Sequence, residues 1–299
     1  MNKHQKAIFY ALLAALLYAI SSPLSKMLLN KIHPALLASL LYLGAGIGLS
    51  IIALIQRSFF KDNNQEKHLT KKELPFIVGM VLLDVLAPIL MMIGLNLTTA
   101  ANASLLNNFE IVATSIIALF FFKEKISSKL WFAIFLVTIS SVILSIEDVS
   151  SFSFSLGSLF VLLASTSWGL ENNFTRRLSS KNPLQIVIIK GFGAGFGSLL
   201  VSSLVGDHFV DPQYIFMALV VGFLAYGLSI FFYVYAQRNL GASRTSAYYA
   251  FAPFLGTAIS LIIFKQIPSV IFIGAFMIML IGAYLVYREP TRSIDHIDP

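Results

Sequence analysis

Apolar runs of about twenty residues recur along almost the whole chain, and they leave little choice of fold. A bilayer core about 30 Å thick takes roughly 20 residues of helix to cross, since each residue advances the helix by about 1.5 Å. Runs of that length fall at residues 7–27, 35–55, 75–96, 102–122, 129–146, 155–176, 184–204, 213–236, 242–264 and 268–287. The longest polar stretch between them, Arg57–Glu73, is too short to fold alone. The pattern predicts an all-α integral membrane protein with ten transmembrane helices. Composition points the same way, because 12% of the residues are charged where a soluble domain carries roughly 25%. The absence of cysteine removes disulfide frameworks, thiolate nucleophiles and iron–sulfur sites. A formal charge of +7 raises nucleic acid as a partner. The basic residues lie between apolar runs rather than clustered on one folded surface, which is a membrane pattern and argues against it.

Those basic residues also predict an orientation. With ten crossings both termini share one side. That side collects seventeen Lys and Arg residues, from Lys3 and Lys6 through Lys71, Lys123 and Arg176 to Arg288 and Arg292. The other side holds three, Lys26, Lys31 and Lys265, and Lys190 falls within a run. Both termini are therefore expected in the cytoplasm, in a multi-pass protein of the cell's inner (cytoplasmic) membrane. The first run follows Lys3 and Lys6 as a signal peptide would, but it has a counterpart later in the chain and reads as a true span.

That counterpart belongs to an internal duplication. Tyr18-Ala19 aligns with Trp168-Gly169, and Pro34 with Pro183. Gly44-Ala-Gly-Ile-Gly48 matches Gly193-Ala-Gly-Phe-Gly197, Gly79 matches Gly222, and Asn96-Leu97 matches Asn239-Leu240. Thr114 falls opposite Thr257, and Phe122-Lys123 opposite Phe264-Lys265. Two units follow, residues 1–150 and 151–299. Each has five spans, an odd number, so the second enters the membrane upside down relative to the first. Such 5+5 inverted-topology repeats characterise secondary transporters.

Ten spans as five plus five resemble the drug/metabolite transporter superfamily, in its EamA-like branch. The end of each repeat's fourth span is similar to that family's pattern, as Phe120-Phe121-Phe122-Lys123-Glu124-Lys125-Ile126 and Ile263-Phe264-Lys265-Gln266-Ile267-Pro268. Glu124 matches the family's acidic residue and Gln266 departs from it. Pro253 matches a proline usual midway along that helix, where Glu110 stands in the first half. The resemblance covers nearly the whole chain. It implies transport by alternating access, with amino acids, their analogues, nucleotide-type metabolites or drugs as substrates, and export as the direction.

Ionisable side chains inside hydrocarbon are costly and mark candidate sites. Asp84 and Glu110 lie eight or nine residues into their runs, roughly 12–13 Å deep, and Glu171 and Lys190 lie roughly 8–9 Å from the cytoplasmic face. Glu171 and Lys190, on consecutive spans, are expected to pair. These four are the candidate coupling residues, with Glu110 foremost and Asp84 as its neighbour or substitute. Asn107 and Thr114 share a helical face with Glu110, which suits either a cavity wall or an interhelical hydrogen-bond face. Asp84 precedes Pro88 by one turn, where the missing N–H can free a carbonyl. In the repeat, Asp84 aligns with Gly227 and Glu110 with Pro253, residues that break or loosen helices around midplane sites.

Tyr18, Ser22, Asn107, Trp168, Asn172, Tyr226 and Tyr249 are the candidate substrate-binding residues, since rings stack on a small organic ligand while hydroxyls and amides orient it. Interfacial anchoring is the other reading for Trp168, and snorkelling to the cytoplasmic face for Lys190. The glycine patterns at 44–48 and 193–197 read as close helix contacts. No His-Glu-x-x-His or Gly-x-Ser-x-Gly motif occurs, and the five histidines lie in loops or tails. The expectation is a secondary transporter, not an enzyme, with no cofactor and no metal. It would be proton-coupled and move a small polar or amphipathic molecule as monomer or homodimer in the lipid bilayer. A lipid or lipid-linked sugar translocase of the same fold is the alternative, and a non-transporting membrane sensor a further one.

Overall fold

The structure is a computed structural model that describes residues 3–59, 69–122, 127–148, 153–178, 181–207, 210–240 and 248–287. Lys123 to Ile126 of the first repeat's motif lie outside the described residues, as do Lys61, Lys67, Arg244, Arg288, Arg292 and the junction expected at residue 150. The first half folds as α1 (Lys3–Ala19), α2 (Ser21–Leu28), α3 (Pro34–Phe59), α4 (Leu74–Leu97), α5 (Ala100–Leu106), α6 (Phe109–Phe122) and α7 (Ser128–Ser145). The second half gives α8 (Leu156–Leu178), α9 (Pro183–Val205), α10 (Pro212–Gly222), a π-helical segment (Phe223–Leu228), α11 (Ser229–Leu240), α12 (Ala252–Ile263) and α13 (Val270–Tyr287). The chain is an all-helical membrane protein but for one detail. Between α7 and α8, β1 (Ile146–Asp148) and β2 (Ser153–Phe154) form a short antiparallel ribbon, which satisfies backbone groups in a turn the sequence does not mark.

Helix ends follow local chemistry. Asn182 caps α9, its side chain accepting from the N–H groups of Leu184 and Gln185, and Pro183 supplies a first residue that needs no donor. Thr99 and Ser127 cap α5 and α7 in the same way. Gly206 ends α9 at φ 82°, a left-handed conformation that glycine adopts without a Cβ clash. The C-terminus of α4 is closed from outside. The Lys26 ammonium, on α2, donates to the carbonyls of Leu95, Asn96 and Thr98 at 2.6, 2.9 and 2.8 Å. These are the acceptors a helix end leaves open, and a cation is favoured there.

Among the described residues, six stretches are long and apolar enough to cross a bilayer: Gln5–Leu28, Pro34–Ile55, Lys71–Leu97, Ser128–Ser145, Leu184–Val205 and Pro212–Tyr233. Large apolar side chains such as Leu54, Leu82, Phe135, Leu200, Phe216 and Ile262 point outward. In water that belt would aggregate; in lipid it is the solvated face.

Two runs expected to be continuous are not. The run at 102–122 breaks at Asn107–Asn108 into α5 and α6, both asparagines favouring turns over helix interiors. Within the run at 242–264, helical Tyr248–Tyr249 is followed by a turn at Ala250–Phe251, and α12 begins at Ala252. Pro253, expected midway along a helix, sits in the first turn of α12, where its missing N–H leaves no gap.

The helix pairings exchange under the repeat. α4 packs on α8 as α1 packs on α11, and α6 on α8 as α12 on α1. The pairing of α10 with α3 has its mate in that of α4 with α9, while α3 pairs with α9 and α7 with α13 across the halves. Glycines set the closest crossings. A Cβ on Gly191 would stand 2.5 Å from the Gly46 backbone, so α3 and α9 touch main chain to main chain. Gly193 accepts the Val81 side chain, drawing α9 onto α4, and Gly44 meets the Leu219 carbonyl of α10. Gly191→Ala should overpack the α3–α9 crossing at a cost of about 1–3 kcal/mol, read as a lower melting temperature of the purified protein. Gly274→Ala, whose added carbon meets nothing within 4 Å and which removes a glycine from a helix interior, should not lower that temperature.

Candidate functional site

The glycine crossings bring three ionisable side chains together inside the bundle. Lys190 Nζ on α9 lies 2.9 Å from Glu171 Oε1 on α8 and 3.4 Å from Asp84 Oδ2 on α4. Asp84 is fully buried and Glu171 is 2% exposed. Thr175, one turn beyond Glu171, donates to its Oε1. Tyr42 on α3 donates to Asp84 Oδ1 at 3.1 Å, and the Trp168 indole lies near the Tyr42 side chain. The pairing of Glu171 with Lys190 expected from the sequence is present. Lys190 does not snorkel, because its ammonium is held by the two carboxylates.

Glu110 forms a separate site. Gly169 lets α8 approach α6 so closely that a Cβ there would stand 2.6 Å from that of Ala113. Asn172 then reaches across, its Nδ2 donating to Glu110 Oε1 at 2.6 Å and lying 3.4 Å from Thr114 Oγ1. Asn173 meets the Thr114 carbonyl at 3.4 Å. Glu110 is half-buried where Asp84 is closed off, and it lies within electrostatic reach of Glu171 and Lys190. Asp84 is therefore the neighbour of Lys190, not of Glu110. The sequence placed both carboxylates at one depth, but the helix carrying Glu110 faces α8 and the helix carrying Asp84 also faces α9.

A run of aromatic rings joins the two sites. Tyr42 and Tyr226 have ring centroids 5.4 Å apart, Tyr226 and Tyr18 6.1 Å, Tyr18 and Tyr249 5.6 Å, and Tyr249 and Tyr233 5.0 Å. Asn107, on the turn between α5 and α6, donates to the Tyr18 hydroxyl at 3.1 Å and lies 3.4 Å from Ser165 Oγ. Ser21 donates to the Tyr226 hydroxyl at 3.0 Å. Tyr226 itself sits in the π-helical segment, where one extra residue per turn re-aims side chains; such bulges are frequent at functional sites. Ser229 closes that segment onto the Ala14 carbonyl at 2.9 Å and meets the Tyr249 hydroxyl at 3.3 Å. Broken helices, amides and hydroxyl-bearing rings thus converge between the halves, the arrangement a small polar or amphipathic molecule needs.

The model of the EamA-like transporter family, a family of membrane transporters, matches residues 5–146 and again 155–288. The chain belongs to that family. Among relatives of this EamA-like chain, an uncharacterized transporter of Methanothermobacter thermautotrophicus is 26% identical over 287 residues, covering 92% of this chain and 84% of its own. The uncharacterized transporter YyaM of Bacillus subtilis is 24% identical over 242 residues, covering 78% of this chain and 79% of its own. A solved crystal structure superposes with a TM-score of 0.66 at 16% identity, covering 93% of this chain and 94% of its own, which speaks for the fold alone. Family and relatives point to transport rather than catalysis.

Within the EamA-like bundle, Tyr18, Asn107, Trp168, Asn172, Tyr226 and Tyr249 all fall along the aromatic run or beside the carboxylates. Ser22 lies on the half-buried flank of its turn, and Ser21, one residue earlier, makes the bond to Tyr226. Tyr42 went unread in the sequence because it stands alone in an apolar run. Its place two residues before Gly44, at a close helix crossing, is the signal that could have marked it. An apolar cleft of about 310 Å³ between α12 and α13, with Phe251, Phe254, Leu280 and Tyr284 on its walls, lies apart from these polar groups. Among the described residues no group of three or more His, Asp or Glu is placed to hold a metal ion. Lys190→Ala should strand Asp84 and Glu171 without a countercharge and destabilise the protein by about 3–5 kcal/mol. Thermal unfolding of the purified variant against wild type checks this.

Proposed function

We propose that this protein is a proton-coupled secondary transporter that moves a small polar or amphipathic metabolite by alternating access between two inverted five-helix halves. The observation that carries the reading is the half-buried Glu110, bonded to Asn172 and set beside the Tyr18–Tyr249 rings, at the meeting of broken helices. The rings would hold the substrate's apolar part, and Asn107, Asn172, Trp168, Tyr226 and the Ser21–Ser22 turn would orient its polar groups. Glu110 would take a proton from one side and release it to the other as the site alternates. Ten crossings in a 5+5 arrangement belong to the same proposal. They are supported by the exchangeable helix pairings and by a family model that matches the chain twice. The basic residues of the loops support cytoplasmic termini in an inner membrane, and the family resemblance supports export of amino acids, their analogues or drug-like compounds.

A second reading, translocation of a lipid or lipid-linked sugar, draws on the apolar cleft between α12 and α13, whose walls suit an acyl chain. Uptake of a labelled panel into proteoliposomes under an imposed pH gradient, with fluorescent lipids as a parallel arm, separates the two. The transport reading expects gradient-dependent accumulation of at least one water-soluble compound and no lipid scrambling. Glu110→Gln keeps shape and hydrogen bonding but cannot titrate, and it should abolish accumulation against a gradient. If Glu110→Gln still accumulates substrate with unchanged pH dependence, the coupling role of Glu110 is wrong.

A further inference from the structure

We infer that the Asp84–Lys190–Glu171 cluster is a second proton-binding site, distinct from Glu110, in which the proton is carried on Asp84 Oδ2. It rests on the transport reading for the use of the proton, not for its presence. Two carboxylates share one ammonium at 2.9 and 3.4 Å, so with both acids ionised the cluster holds one surplus negative charge. Asp84 has no exposed surface and Glu171 almost none, and an unbalanced charge in that setting is strongly disfavoured.

Among the described residues, no cation other than Lys190 is in ion-pair contact with either carboxylate. α3 presents Tyr42, α8 presents Glu171 and α9 presents Lys190. α5 has no titratable residue. The ammonium of Lys26, on α2, is engaged by carbonyls at the far end of α4. Lys71, Lys72 and Glu73 precede α4 at its opposite end, where Glu73 pairs with Lys181 at 3.0 Å. Glu110, on α6, adds negative charge within reach. A metal cation would need a shell of oxygens beside an ammonium already in contact. A proton needs one lone pair.

The donors choose the oxygen. Glu171 Oε1 receives both Lys190 and Thr175, and Asp84 Oδ1 receives Tyr42. Asp84 Oδ2 is buried and faces Lys190 at 3.4 Å, yet receives no directed hydrogen bond. Of the three oxygens in these contacts it alone accepts no hydrogen bond, and a proton there leaves Lys190 and Glu171 as a balanced pair. Asp84 lies in the first half and Lys190 in the second. Proton and Lys190 therefore compete for one oxygen across the junction of the halves: the protonated acid releases α9 from α4, and the ionised acid holds it.

The test is infrared spectroscopy of the full-length protein in lipid nanodiscs, without substrate, in a Glu110→Gln background that silences the other membrane carboxyl. A carbonyl stretch of a protonated carboxylic acid, shifted in heavy water, is expected in that background and should be lost on adding Asp84→Asn. Adding Glu171→Gln instead leaves one carboxylate for one ammonium and should lose the band too, so either folded variant carries the test if gel filtration shows the other misfolded. A band that survives both substitutions overturns the inference. So does its absence from the background, and a melting temperature that then rises with sodium but not choline would assign the balancing charge to a metal cation. Neither result touches the transport reading, which stands or falls on proteoliposome uptake.

Discussion

Hydrocarbon tolerates charge only in company, and much of this bundle's interior is arranged around that rule. Lys190 reaches from α9 to carboxylates on two other helices, so α8 and α9 cannot separate without leaving a bare charge in lipid, and α4 is tied to them through Asp84. Tyr42 and Thr175 complete the arrangement with hydroxyl donors from α3 and from the next turn of α8. The rings of Tyr42 and Tyr226 then carry contact from this closed cluster to the more open surroundings of Glu110. The two carboxylate sites are joined at α8 itself, where Glu171 turns to Lys190 and the adjacent Asn172 turns to Glu110.

Charge could not meet in this way if the helices stood at ordinary separation. Gly46, Gly191 and Gly193 remove side-chain volume where α3, α9 and α4 cross, and Gly169 does so where α8 meets α6. Small residues at such crossings are the usual route to close helix approach in membranes. Here they have a chemical result, because each brings a polar side chain within hydrogen-bonding or ion-pair distance of one on the next helix.

Much of this was legible in the sequence. The apolar runs foretold a helical membrane protein, and the family match bears out the resemblance drawn from the repeat. Glu171 and Lys190 could be paired from depth and adjacency in sequence, although α8 packs chiefly on α4 and α9 on α3, and the two helices meet where both flank α4. The partner of Asp84 could not. Its depth was readable but its azimuth was not, because α4 is apolar on nearly all sides and no amphipathic stripe shows which face meets α9. The breaks were hidden for a related reason. Asn107–Asn108 sit inside a run whose mean hydropathy is high, which hides the turn preference of the two asparagines. The π-helical turn at Tyr226 leaves no mark in composition at all.

The closure of α4 by Lys26 bears on how this chain can vary among its relatives. The three acceptors are backbone carbonyls, so the side chains at 95, 96 and 98 can drift without disturbing the bond, whereas the donor is a single ammonium on a long stem. A constraint of this kind is one-sided. It fixes position 26 tightly, leaves its partners free, and would be missed by any search for residues that change together.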